Sequence, residues 1–309
     1  MLTAYITHPD CLKHQMGDQH PEAPERLGAI QDMLLVKGLL DFMQPHEAPL
    51  ASEQQLARAH SSLYIHTLAA LAPASGMVQV DPDTSMCPAS YQAALRAAGA
   101  AVLATDLVLA GRAASAFCNV RPPGHHAEYA AAGGFCFFNN AVVGIRHAIN
   151  VHGLERVALV DFDVHHGNGS EDILHDDERV LMCSIFEDNL YPFCGNQPRG
   201  PNMVNVALPS RSGGDVMRAA VTERWLPALD RFAPQMIFIS AGFDGHREDD
   251  MGNLGLVEAD YAWLTRQIMA VARRHAQGRI VSCLEGGYEL SSLARSVAAH
   301  LRVLLEQDG

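Results

Sequence analysis

Short apolar runs that end in clusters of polar side chains constrain this 309-residue chain more than any other feature. Five runs lie at 116–120, 157–160, 180–185, 236–240 and 280–284. They are apolar nearly throughout instead of alternating, the pattern of strands covered on both faces in a parallel sheet. Longer segments with helical periodicity fall between and around them, at 90–110, 141–151, 215–231, 258–276 and 291–305. Strand–helix alternation of this kind implies an α/β fold with a central, mostly parallel sheet flanked by helices. The nearest approaches to a linker, at 72–76 and 197–202, are only loop-sized, and no internal repeat is present. Residues 1–309 therefore read as one domain.

Four of the runs lead directly into unusual polar segments. The first continues into Arg121-Pro122-Pro123-Gly124-His125-His126 and the second into Asp161-Phe162-Asp163-Val164-His165-His166-Gly167-Asn168-Gly169. The fourth continues into Ala241-Gly242-Phe243-Asp244 and the fifth into Glu285-Gly286-Gly287-Tyr288. Ligands of open parallel sheets sit beyond the carboxyl ends of the strands, so these four ends are expected to converge on one site. Asp163 and His165, two apart on an extended segment, point the same way. They offer half of a tetrahedral metal site, and Asp244 can supply a third ligand. Three protein ligands with one open position is the arrangement of catalytic zinc. His125 and His126 follow a constrained Pro-Pro-Gly turn, and a neutral histidine is a suitable general base for an activated water. Asp161 and Asn168 are candidate hydrogen-bond partners that orient the histidine pair. Tyr288 follows two glycines that permit close backbone approach, and its phenol can donate to a developing oxyanion.

Composition narrows the partners. The 35 Asp and Glu against 22 Lys and Arg leave a net charge of −13. That balance argues against nucleic acid, because phosphates require a basic face, and suits a cationic substrate better. No secretory leader and no uncharged apolar stretch of membrane-spanning length is read. Seven scattered cysteines without a Cys-x-x-Cys pair read as reduced thiols, so a cytoplasmic location is expected. The nucleophile elbow, Walker A and His-Glu-x-x-His motifs are absent. His126-Ala127-Glu128 matches the His-x-Glu of zinc deaminases, but no Pro-Cys-x-x-Cys follows.

At these residues the sequence resembles the histone deacetylase family, most closely its class II branch and bacterial relatives, the histone deacetylase-like and acetylpolyamine amidohydrolases. The matching segments are 20–26, 120–128, 134–140, 160–169, 241–244 and 284–288, spanning nearly the whole chain. The resemblance implies a single arginase/deacetylase-type domain. It implies a zinc-dependent amidohydrolase that cleaves N-acetyl-lysine, or a related acyl-amine, to free amine and acetate. It implies Asp163, His165 and Asp244 as zinc ligands, His126 as general base and acid, His125 as its electrostatic partner oriented by Asp161, and Tyr288 as the carbonyl-polarising residue. Asn168 matches the class II pattern, where class I carries Asp. Phe135 and Tyr191 are implied as walls of a narrow substrate tunnel, with Gly134 beside them and Met251 at its mouth. A structural potassium ion is implied among Asp161, Asp163, His165, Ser184 and Ile185, mostly through backbone carbonyls. Arg26 matches an arginine beside an inner channel for acetate exit.

The sequence departs from the family pattern around the tunnel mouth. Tyr191 stands where phenylalanine is usual, Phe186-Glu187-Asp188 replaces a His-Arg type sequence, and Met251 is not the glutamate of the polyamine-preferring branch. The chemistry is expected intact, while the substrate stays open between acylated lysine peptides and acetylpolyamines or other small amides. A silent acyl-lysine-binding module would lack a ligand, base or tyrosine, and none is lacking. An arginase-like site with two manganese ions would need further carboxylates in place of His126 and Asn168. The ligand set accepts iron as well as zinc, and a homo-oligomer is compatible with the sequence.

Overall fold

The computed structural model describes residues 2–305. Its strands are β1 (Thr3–Thr7), β2 (Met43–Glu47), β3 (Val78–Asp81), β4 (Thr84–Met86), β5 (Ser115–Cys118), β6 (Val157–Asp161), β7 (Val180–Glu187), β8 (Met203–Leu208), β9 (Met236–Ala241) and β10 (Ile280–Leu284). Its α-helices are α1 (Glu25–Val36), α2 (Glu53–Leu56), α3 (Ser62–Leu71), α4 (Ser90–Leu109), α5 (Asn140–Asn150), α6 (Asn168–Leu174), α7 (Gly214–Ala220), α8 (Leu226–Phe232), α9 (Glu258–His275) and α10 (Leu290–Leu305). Eight strands form one sheet in the order β2-β1-β5-β10-β9-β6-β7-β8, and β3 and β4 form a separate hairpin. Every neighbouring pair in the large sheet is parallel.

The expected α/β architecture is what forms. β5, β10, β9 and β6 are buried at every position, so helices cover both faces. One helix group pairs α4 with α5, and the other stacks α10 between α1 and α9. β5, β10, β9 and β6 are also consecutive neighbours, and they are the strands whose ends carry the polar segments. After β5 the chain crosses over through α5 to β6, and β9 and β10 later fill the gap between them. That order gathers the four loops at one edge.

Strands β1, β2, β8 and the β3–β4 hairpin lie outside the apolar runs. β2 is buried only at Met43 and contains Pro45, which a sheet edge tolerates because no neighbour needs its missing N–H. β8 closes the opposite edge and is buried only at its ends. The helix expected over 215–231 is broken into α7 and α8 by one π-helical turn at Val221–Trp225. Leu226 N–H bonds to Val221 O, five residues back, where Pro227 has no N–H to continue a regular ladder. α4 is long and apolar enough by composition to cross a membrane, but two-thirds of its apolar window is buried inside the protein. All seven cysteines are free.

Where β5 ends, a fully buried ion network pins the long β1–α1 connection over the sheet edge. Arg121 grips the Glu22 carboxylate through Nε and Nη2, the latter 2.6 Å from Oε2. Its Nη1 donates to Cys11 O at 2.9 Å and His14 O at 3.2 Å. Removing one partner of such a buried pair strands the other charge, typically costing about 3–5 kcal/mol. Arg121→Ala is therefore expected to lower the unfolding free energy read from a urea titration by that order, and a value unchanged from wild type would show that water replaces the guanidinium.

Gly99 supplies a second check. It lies inside α4, where alanine is normally preferred by about 1 kcal/mol. A Cβ there would sit 2.0 Å from Pro49 O and 2.9 Å from Ala51 N, both backbone atoms. Overpacking should outweigh propensity, so Gly99→Ala is expected to lower the thermal midpoint. A raised midpoint would mean that the 49–51 segment yields.

Candidate active site

Register at the middle of the sheet brings the chemistry together. Asp161, the last residue of β6, stands opposite Ser240 of β9, so the loops that follow run side by side. Asp163 and His165 come from the first loop and Asp244 from the second. Asp163 Oδ1 and Asp244 Oδ2 each lie 3.1 Å from His165 Nδ1. Ligand atoms from the three residues all fall within 4.8 Å of one another, and all three side chains are buried.

Backbone donors aim the carboxylates. Gly286 N donates to Asp163 Oδ2 at 2.8 Å, and Val164 N donates to Asp244 Oδ1 at 3.0 Å. The approach requires glycine, since a Cβ on Gly286 would lie 2.1 Å from Asp244 Oδ2 and 2.5 Å from Asp163 Oδ2. A Cβ on Gly242 would lie 2.1 Å from Asp163 Oδ2. Burial by itself lowers the His165 pKa, but hydrogen bonds from its ring to the Asp163 and Asp244 carboxylates overturn this and raise it to about 10. Burial and the charge of Asp163 push Asp244 up to about 6. Two buried carboxylates thus demand positive charge at His165 Nδ1. Two carboxylate oxygens and an imidazole nitrogen form a donor set that suits zinc or a similar divalent ion, which would replace that proton.

A second cluster, of one carboxylate and two imidazoles, Asp106, His147 and His152, does not share this property. Arg58 donates to His147 Nδ1 at 2.8 Å, so the ring proton sits on Nε2 and points at Asp106 Oδ1, 2.8 Å away. Half-exposed Asp106 is held by two histidine donors, and no imidazole lone pair of His147 is left for an ion.

His125 and His126 stack with ring centroids 4.0 Å apart, yet their surroundings differ. His125 Nδ1 lies 3.0 Å from Asp161 Oδ2, and its Nε2 lies 3.7 Å from Asp163 Oδ2. Burial opposes charge on His125, but the two aspartates outweigh it and raise the pKa well above the usual histidine value. His126 Nδ1 lies 2.7 Å from Asn168 Oδ1, a neutral partner. Burial first, then the charges of His125 and His165, hold His126 well below the ordinary value. Adjacent histidines are therefore pushed in opposite directions, His125 toward the charged form and His126 toward the neutral one.

Tyr288 follows Gly286-Gly287 in the loop after β10. Its ring packs edge-on to Phe135 at 5.8 Å, and the Arg26 guanidinium lies over its face, 4.8 Å from the centroid. Burial raises its pKa well above 10 despite Arg26, so the phenol keeps its proton. Asp249 clamps the loop, accepting from Tyr288 N at 2.6 Å, Glu289 N at 3.0 Å and Met251 N at 3.0 Å. Met251 thus belongs to the loop that holds Tyr288. Arg26 spends its donors on Gly287 O, Glu285 O and Glu22, which makes it a buried support of the same loop.

Tyr191 packs edge-on against His126 at 5.0 Å and His165 at 6.2 Å. Gly134 has φ +53, and a Cβ there would lie 2.3 Å from His126 Cδ2. The β3–β4 hairpin holds this turn, with Gly134 N donating to Asp83 Oδ1 and Phe135 N to Thr84 Oγ1. Of the candidate potassium residues, β6–β7 pairing sets Asp161 opposite Ser184, with Ile185 next in the strand.

Several contributors were not singled out from the sequence. Glu285 is buried, accepts from Gly124 N and His125 N, and is raised to about 7 by burial. Glu128 accepts from Asn168 Nδ2 at 2.9 Å. Asp249, Asp83 and Thr84 act through backbone N–H groups. Glu285 stands directly before Gly286-Gly287-Tyr288, and Glu128 directly after His126-Ala127, so proximity to a motif was the available signal for those two. Asp83 and Asp249 carry none, because their targets are main-chain atoms far away in sequence.

Known proteins are similar to this chain in sequence and in fold. The histone deacetylase domain family matches residues 20–304. A histone deacetylase-like amidohydrolase of Pseudomonas aeruginosa is 39% identical over 277 residues, covering 87% of this chain and 72% of that protein. A polyamine deacetylase of Mus musculus is 36% identical over 332 residues, covering 99% of this chain and 48% of the relative. The crystal structure of an HDA15 HD domain superposes with a TM-score of 0.92 at 31% identity, covering 99% of this chain and 89% of that one. With its parallel sheet, its polar loop ends and a match along almost its whole length, this chain belongs to the histone deacetylase family of amidohydrolases.

Proposed function

We propose that the chain is a metal-dependent deacetylase that hydrolyses N-acetyl-lysine in peptides, or a related acyl-amine, to free amine and acetate, and that residues 1–309 form one catalytic domain. The observation that carries this reading is a buried histidine pair with unlike partners, His125 on the Asp161 carboxylate and His126 on the Asn168 amide, beside the ligand atoms of Asp163, His165 and Asp244. A zinc or iron ion held by Asp163, His165 and Asp244 supplies, when bound, a Lewis acid that polarises an amide carbonyl and acidifies water.

The chain's own groups do the rest. His126 has Nδ1 committed to Asn168, so its Nε2 takes the proton from the attacking water. The same nitrogen returns that proton to the leaving amine as the C–N bond breaks. Tyr288, kept protonated by burial, donates to the oxyanion that develops on the former carbonyl oxygen. His125, paired with Asp161, keeps a positive charge close to the reacting centre. Phe135 and Tyr191 offer apolar ring surface to the substrate's stem. We also assign the potassium ion to Asp161, Asp163, His165, Ser184 and Ile185, and a cytoplasmic setting to the protein.

Acetylpolyamines are the second reading, favoured by acid near the rim. Asp81 and the Tyr191 hydroxyl both border Gly133, and Asp83 holds the Gly134 turn. These carboxylates suit the spare ammonium groups of a polyamine, and one relative is named a polyamine deacetylase. Turnover of acetyl-lysine peptides against acetylputrescine, with and without chelator, separates the two. Faster cleavage of acetylputrescine would overturn the peptide reading, and turnover indifferent to chelator would overturn the metal.

Two substitutions test the roles. Tyr288→Phe is expected to lose about 100- to 1000-fold in kcat while retaining bound metal, and near-wild-type turnover would remove the phenol from the chemistry. Asp163→Ala is expected to lose metal, read by elemental analysis of the purified protein. An unchanged metal content would refute the ligand assignment.

A further inference from the structure

Hydrogen-bond direction in the chain His126–Asn168–Glu128 depends on its far end. Asn168 stands between the other two, with Oδ1 2.7 Å from His126 Nδ1 and Nδ2 donating to Glu128 Oε1 at 2.9 Å. A neutral imidazole carries one donor and one acceptor nitrogen, and a primary amide carries one donor end and one acceptor end. An isolated His–Asn pair therefore makes one hydrogen bond either way round: Nδ1–H to Oδ1, or Nδ2–H to a bare Nδ1. Only the first leaves the lone pair on Nε2. A carboxylate accepts only, so turning the amide over would set Asn168 Oδ1 against Glu128 Oε1 with no proton between them. His125 needs no such help, because its partner Asp161 is itself a carboxylate.

The far end is itself fixed. Asn139 N donates to His60 Nε2 at 2.9 Å, which leaves the His60 proton on Nδ1, 2.9 Å from Glu128 O. Burial holds His60 at a pKa of about 4, so it stays neutral in this role. Glu128 N also donates to Ala131 O at 2.9 Å. The first turn of α6 is pressed onto the same segment, since Ser170 N donates to His125 O and a Cβ on Gly169 would lie 2.3 Å from Ala127 O. Glu128 also lines a cavity of about 520 Å³ together with Arg58 and Arg146.

We propose that Glu128 is a positioning residue that selects the Nδ1–H tautomer of His126 by fixing the orientation of the Asn168 amide. The kinetic part rests on His126 being the base of the proposed reaction, whereas the tautomer can be read without turnover. The test uses the full chain labelled with 15N-histidine, with His126 assigned from a His126→Ala spectrum. Wild type is expected to show a protonated Nδ1 and a bare Nε2. Glu128→Gln is isosteric but can donate to a flipped amide, so both tautomers are expected. Its kcat is expected to fall about 10- to 100-fold, the usual effect of losing an outer partner of this kind, with KM little changed. The exchange variant E128Q/N168D moves the carboxylate next to His126, with the amide introduced at position 128 donating to it. It is expected to return a single Nδ1–H tautomer and to turn over faster than E128Q.

A single Nδ1–H tautomer in E128Q would overturn the proposal, as would a mixture in the exchange variant with wild-type thermal stability. Absence of turnover in wild type, with the tautomers behaving as stated, would count against the deacetylase reading and support this inference.

Discussion

Carboxylates buried at the carboxyl edge of a parallel sheet are tolerable only when each oxygen meets a donor or a cation. Asp161, Asp163, Asp244 and Glu285 are all at most 1% exposed, and they lie within the ends of three adjacent strands. Much of the site follows from that constraint. Main-chain N–H groups of Asp163, Val164, Gly286, Gly124 and His125 turn toward these acids. Glycines at 242 and 286 let the backbone come close enough, and a Cβ on Gly167 would lie 2.3 Å from Asp161 Oδ2. The histidines supply the remaining donors.

The same excess of negative charge divides labour among like side chains. Two aspartates beside His125 favour its charged form, while burial and the charge of His125 disfavour a second charge on His126, whose own partner is an amide. Electrostatic differences of this size arise because water is excluded and neighbouring charges act at low effective dielectric. The carboxylates of Asp163 and Asp161 beside His125, and the charge of His125 itself beside His126, separate a charge-stabilising group from a proton-transferring one. A neutral partner leaves direction undetermined, and Glu128 restores it from outside the pocket.

Rim and interior are built on different logic. Inside, nearly every contact is a buried hydrogen bond to a group from a remote loop. At the rim, Phe135 and Tyr191 contribute ring surface, and the hairpin contributes Asp81 and Asp83. Reaction chemistry and substrate choice can therefore change independently, because the loops that hold Asp163 and Asp244 are locked by the sheet. The rim turns are held by a few contacts from the hairpin.

Residue pattern alone determined the class of fold, the strands at the sheet's centre and the groups that meet there. Fully buried strands must be apolar throughout, and their polar continuations must sit at the strand ends. The edge strands β2 and β8 escaped this reading because one open side relaxes the demand for apolar residues. The π turn before Pro227 escaped it because helical periodicity does not report which carbonyl each N–H selects. Glu128, Asp249 and Asp83 became visible only in three dimensions, since each acts on atoms that the fold alone brings near. Charge states also belong to the tertiary structure: His125 and His126 are the same residue side by side, and only their buried neighbours tell them apart.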